Sequence, residues 1–158
     1  MFMHNFSAIQ FLPIDLNKAW SFFSSPGNLS RITPPEMGFK ILSRDVSANI
    51  YDGMEIDYLV KPLAGIPVKW KTEIKNVRKL HSFTDIQKRG PYKVWEHTHT
   101  FAAVNGGVMM HDEIAYALPF GILGKIAHFL FVRKKIEQIF NYRKAILHKI
   151  FLNANNTH

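Results

Sequence analysis

The chain has 158 residues, of which 47% are apolar and 13 are Phe. That suffices to bury the core of one domain spanning 1–158, and it excludes disorder as a description of the whole chain. With no cysteine there can be no disulfide, thiolate nucleophile or Cys-based zinc site. The net charge of +8 suits an anionic ligand, a membrane surface or nucleic acid and does not choose among them.

Residues Met1 to Gln10 have neither a basic n-region nor a long apolar stretch, so no secretory signal is expected and the expected location is cytoplasmic. Asn5 to Leu12 predicts a strand ended by Pro13. Asp15 can cap a helix to Phe23 that carries Leu16, Ala19, Trp20 and Phe23 on one face, with Ser24-Ser25-Pro26-Gly27 as its stop. A second short helix would hold Leu29 and Ile32 before Thr33-Pro34-Pro35 breaks it.

From Phe39 to Ala117 the pattern changes to short runs of strand formers. Six strands are expected, at Lys40 to Ser43, Met54 to Val60, Val68 to Val77, Phe83 to Gln87, Lys93 to Ala103 and Val108 to Ala117. In the pair flanking Pro62 to Pro67, one face shows Ile56, Tyr58, Val60, Val68, Trp70, Thr72 and Ile74. The other shows Glu55, Asp57, Lys69, Lys71 and Glu73, which describes a sheet with one buried and one solvated face.

The last two strands are the most informative. Side chains two apart share a face, so Trp95, His97, His99 and Phe101 point together, away from Glu96, Thr98 and Thr100. If the hairpin is symmetric about Asn105 and Gly106, Phe101 lies opposite Met110, His99 opposite Asp112, His97 opposite Ile114 and Trp95 opposite Tyr116. An apolar surface holding histidines and a carboxylate within cross-strand reach has the makings of a ligand cavity with polar anchors.

After Pro119 the chain is expected to be helical to about Leu152, with 153–158 as a frayed tail. Phe129, Val132, Ile136, Ile139, Phe140, Arg143, Ile146, Leu147 and Ile150 form a stripe of helical spacing that needs the sheet as its partner. The apolar stretch Pro119 to Val132 carries Lys125 and His128 and is shorter than the roughly 20 residues that span a bilayer.

Strand, two short helices, six antiparallel strands and a long helix is the element order of the α+β helix-grip fold. At the level of motifs, Asn28-Leu29-Ser30-Arg31-Ile32-Thr33-Pro34-Pro35, Trp70-Lys71-Thr72-Glu73-Ile74, Arg89-Gly90-Pro91-Tyr92, the run Trp95 to Phe101, Asp112-Glu113 and Phe140-Asn141-Tyr142-Arg143 resemble a bacterial branch of the SRPBCC superfamily. That superfamily includes START lipid-transfer domains, birch pollen allergen relatives, and polyketide cyclases and aromatases. The resemblance implies a curved sheet of about seven strands wrapped on the C-terminal helix, with an apolar cavity between them. It carries over no catalytic residue, because one scaffold hosts both carriers and enzymes.

The expected function is therefore binding of a small hydrophobic molecule (lipid, polyketide-like or aromatic) by a carrier or sensor. Trp70, Trp95, Phe101, Met110 and Tyr116 would form the walls, with Tyr58 and Thr72 beside them. His97, His99 and Asp112 would be the anchors, and Phe129, Ile136 and Phe140 would close the cavity from the helix. The alternative is a cyclase, aromatase or dehydratase in which Asp112 orients His99 as general acid or base. Against both stands the ordinary reading of His99 and Asp112, a satisfied polar pair in the cavity wall.

His97 and His99 with Asp112 are weak evidence for a metal, since a fourth ligand is not obvious, and neither a metal nor a cofactor is expected. The basic residues Arg133, Lys134, Lys135, Arg143, Lys144 and Lys149 read first as a solvated helix face. The apolar segment beside them could make transient contact with a membrane surface, while nucleic acid is not an expected partner. No nucleophile elbow, phosphate loop or dinucleotide fingerprint occurs.

Overall fold

The structure, a computed structural model, describes residues 1–44, 46, 49–62 and 65–155. Strand β1 (His4–Leu12) leads into α1 (Leu16–Phe23), whose first turn is capped by the Asp15 carboxylate accepting from Lys18 N at 2.9 Å. The expected second helix is instead two 3-10 segments, Pro26–Ile32 and Pro35–Met37. Gly27, Asn28 and Ser30 are poor helix formers, and Thr33 Oγ1 and Ser30 Oγ donate to backbone carbonyls, which favours short, tight turns.

Six further strands follow, β2 (Lys40–Ile41), β3 (Glu55–Val60), β4 (Val68–Arg78), β5 (Ser82–Arg89), β6 (Val94–Val104) and β7 (Gly107–Ala117). They form one antiparallel sheet in the order β1-β7-β6-β5-β4-β3-β2. β2 is half its expected length because Ser43 Oγ, in place of a backbone carbonyl, accepts from Asp57 N. The solvated face of β3 and β4 is as expected. Lys71 pairs with Glu55 and Asp57 near the surface, contacts that contribute little, and Lys88 pairs with the half-buried Glu73.

The C-terminal helix is broken in phase. It starts as α2 (Gly121–Ala127), widens into a π-helical turn at His128–Val132 and continues as α3 (Arg133–Asn155). In α3 and at its entrance, Val132, Ile136, Phe140, Arg143 and Leu147 are buried against the sheet. The expected stripe is displaced upstream of them. A π turn holds an extra residue, so the position one turn before Val132 falls near His128 and Phe129 is rotated outward. Phe129 is 83% exposed and does not close the cavity as expected.

Leu147 has no exposure and packs in the main core that α1, the sheet and the helix share. Leu147→Ala is expected to cost about 3 kcal/mol in urea unfolding. A loss below about 1 kcal/mol would contradict this seating of the helix.

Candidate functional site

The β6–β7 hairpin has the anticipated register. His99 faces Asp112, His97 faces Ile114, Trp95 faces Tyr116 and Phe101 faces Met110, with Gly106 supplying the positive φ of the turn. On the other side of β6, β5 places Phe83 against His99 and Asp85 against His97. Three neighbouring strands thus bring two imidazoles and two carboxylates onto one inward patch.

Asp112 Oδ1 stands 2.7 Å from His97 Nε2, in hydrogen-bonding alignment, and 2.8 Å from His99 Nδ1, out of line for a hydrogen bond. Asp85 Oδ2 lies 3.2 Å from His99 Nε2 and 3.7 Å from His97 Nδ1. The two rings nearly touch, with centroids 3.8 Å apart. From the helix, Arg143 is 8% exposed, its guanidinium 4.8 Å from the centre of the Phe140 ring. Among the described residues, neither Arg143 Nε nor Trp70 Nε1 has a hydrogen-bond partner.

These groups border a cavity of about 240 Å³ between sheet and helix, walled mostly by apolar side chains. Of the residues expected there, Tyr58, Trp70, Thr72, Trp95, His97, His99, Ile136 and Phe140 line it. Phe101, Met110, Asp112, Tyr116 and Phe129 do not. Phe101 is sealed by Trp20, Phe23 and Phe83 because α1 covers that end of the sheet, and Met110 is buried in the same core. Asp112 sits behind the imidazoles, and the Tyr116 hydroxyl pairs with His128 Nε2 at 2.9 Å.

The structure adds Asp85, Tyr92 and Arg143 to the wall. Asp85 shares the alternation of Phe83 and Gln87, and Arg143 interrupts an otherwise apolar stripe. Those were the available signals. As a solvated cation, Arg143 is corrected, since an arginine at that phase of the helix must enter the interior. Tyr92, on the turn before β6, packs with Trp70 and Trp95 in an aromatic corner.

The five ionisable groups of this patch, Asp85, His97, His99, Asp112 and Arg143, settle one another's protonation. Burial opposes ionisation of Asp112, but its contacts with His97 and His99 outweigh that and hold its carboxyl well below the usual range. Asp85 is likewise lowered, with burial overcome by His99, His97 and Arg143. His97 is lowered, first by burial and then by the neighbouring His99. His99 is raised because Asp112 and Asp85 together outweigh its burial. Burial lowers Arg143, and the two carboxylates counter it. Burial also raises the Tyr58 and Tyr92 hydroxyls, which stay protonated. As potential metal donors, Asp85, His97 and His99 offer atoms within 4.8 Å of one another. Asp112, weighed beside the two histidines in the sequence, is not in this set, because it faces their far nitrogens.

Two consequences are measurable in chelator-treated protein. An NMR titration is expected to place His99 above and His97 below the ordinary value of 6.5, and coincident titrations would contradict the cluster geometry. Asp112, with a folded pKa below its ordinary 3.8, contributes stability that is complete above that value and lost as pH falls through the lower folded one. Asp112→Asn is therefore expected to cost about 3 kcal/mol near neutral pH, by leaving buried imidazoles unpaired, and to flatten the acid arm of the stability curve.

No known family profile and no curated protein matches the chain. Solved structures do. A protein from Thermus thermophilus superposes with a TM-score of 0.70 at 15% identity, covering 96% of this chain and 99% of that one. A START superfamily protein from Mycobacterium smegmatis gives 0.65 at 12% identity, covering 93% and 99%. Ara h 8.0201 gives 0.60 at 11% identity, covering 94% and 99%.

Proposed function

We propose that this chain, whose fold is the helix grip of START and birch-pollen-allergen-like structures, binds a small amphipathic molecule in its cavity as a carrier or sensor. The observation that carries the reading is an apolar cavity with a buried, ionised floor and unpaired donors at its wall. A cavity of about 240 Å³ is close to the lower end of the roughly 300–1,000 Å³ typical of ligand pockets. Buried N–H groups without partners are costly in a closed core, and Arg143 Nε and Trp70 Nε1 are such groups. An acceptor on a ligand, such as a carboxylate, would satisfy them while its apolar body lies between Ile56, Ile74, Ile136 and Ile139.

The test is a titration with a medium-chain fatty acid and with a naphthalene carboxylate, followed by the fluorescence of the wall residues Trp70 and Trp95. Saturable binding is expected. Ile136→Phe, which fills the cavity, should weaken it by about tenfold or more, while Glu96→Ala on the opposite face leaves it unchanged. Equal effects of the two substitutions would overturn the reading.

Turnover is the second reading, favoured by two adjacent imidazoles displaced in opposite directions, His99 up and His97 down, an arrangement suited to paired acid and base. It predicts conversion of a polyketide-like substrate that His99→Gln abolishes, where a carrier shows binding alone.

Access to the cavity supports a transient contact with an anionic membrane surface. Phe120, Ile122, Leu123, Ile126, Phe129, Leu130 and Phe131 are all more than half exposed, beside the exposed Lys125, Arg133 and Lys134. This segment lies between Leu118 and Val132, which line the cavity. Among the described residues no helix is long and apolar enough to cross a membrane. Co-sedimentation with phosphatidylserine vesicles at low salt is expected and should fall several-fold in Phe129→Ser/Phe131→Ser. Equal sedimentation of the variant would contradict the contact.

A further inference from the structure

Asp85 Oδ2, His97 Nδ1 and His99 Nε2 converge on one point of the cavity floor, while the far nitrogen of each imidazole is turned to Asp112. We propose that these three residues bind a divalent first-row transition metal ion, of the zinc or ferrous class, with Asp112 orienting both rings from behind.

Geometry is the first support. The carboxylate oxygen is 3.2 and 3.7 Å from the two nitrogens, and all three donors lie within 4.8 Å of one another. Metal–ligand lengths of about 2.0–2.2 Å put donors on one ion roughly 3–3.5 Å apart, so the carboxylate already stands near ligating distance of both rings, and binding would draw the donors together from their present span of up to 4.8 Å. The scaffold is stiff. His97 and His99 share one face of β6, and Asp85 is the register partner of His97 on β5.

Proton accounting is the second. Asp112 Oδ1 lies 2.7 Å from His97 Nε2 and 2.8 Å from His99 Nδ1. With His97 Nε2–H donating to Asp112, His97 Nδ1 turns a lone pair toward the Asp85 carboxylate, while His99 Nε2 is in hydrogen-bonding alignment with Asp85 Oδ2 at 3.2 Å. The His97 Nδ1 lone pair and the Asp85 carboxylate then face one another at 3.7 Å with no proton between them. A proton on His99 answers for one contact, and a metal ion answers for both. A carboxylate on the far nitrogen of each ligating imidazole is also the usual outer partner of a metal-bound histidine.

The nearby permanent cation does not take that place. Arg143 is buried and lines the same cavity, yet it makes no ion pair within 4.0 Å with Asp85 or Asp112 among the described residues, and its Nε is unpartnered. Two imidazoles and one carboxylate select zinc, iron or a neighbouring transition metal over calcium or magnesium, which prefer oxygen. Three protein ligands also leave a coordination position open toward the cavity. The inference does not depend on what fills the apolar part of the cavity.

The test uses untagged, chelator-treated protein. Calorimetric titration with Zn2+ is expected to show one-to-one binding, and Co2+ is expected to give visible absorption bands of a low-coordinate nitrogen and oxygen site. Asp112→Asn should weaken Zn2+ by about 10–100-fold, Asp85→Asn by more, and His111→Gln on the other face not at all. Should a variant fail to fold, imidazole nitrogen shifts of the wild type decide, with Zn2+ expected to move His97 Nδ1 and His99 Nε2. Absence of stoichiometric Zn2+ and Co2+ uptake, binding that survives Asp85→Asn, or shifts confined to other histidines would each overturn the proposal.

Discussion

The arrangement depends on the Asp112 carboxylate held inside the sheet between two imidazoles. A charge buried to 5% exposure is tolerated only with partners at hydrogen-bonding distance, and those partners exist in one register of β6 on β7. A slip of one residue would turn His97, His99 and Asp112 to solvent together with Phe101, Met110 and Tyr116. Apolar burial and charge pairing therefore specify the same pairing. That agreement across levels fixes the curved sheet on which the helix closes.

What was legible in the sequence was local. The hairpin register follows from a tight Asn105-Gly106 turn and strict alternation, so each cross-strand partner of β6 on β7 could be named. The succession of strands along the chain and the long helix followed from period and punctuation, while their order in the sheet did not. Asp85 was not legible, because its place beside His97 depends on how β5 pairs with β6 across a connection without a diagnostic turn. Arg143 stands on the apolar stripe, and its phase is a better guide to its place than its charge. Phe129 departs from expectation for a subtler reason. A single π turn changes the phase of everything upstream of it, and Phe120 to Phe131 gives no sequence sign of where the extra residue enters.

Sharing a face also proved insufficient for sharing a cavity. Phe101 and Met110 lie on the same surface of the hairpin as His97 and His99, but α1 brings Trp20 and Phe23 over that end and converts it to core. The cavity survives farther along, where Trp70, Tyr92 and Trp95 brace one another and the helix presents Ile136, Ile139 and Phe140. The exposed apolar segment runs between Leu118 and Val132, both in the cavity wall, so segment and cavity are contiguous.

The central claim is that a ligand's apolar body lies between sheet and helix above the histidine and aspartate floor. Intermolecular NOEs from a medium-chain fatty acid to methyl-labelled isoleucines test it most directly. The account predicts NOEs to Ile56, Ile74, Ile136 and Ile139, accompanied by shifts of the His97 and His99 rings. NOEs confined to the exposed Ile122 and Ile126, with the imidazoles undisturbed, would contradict it.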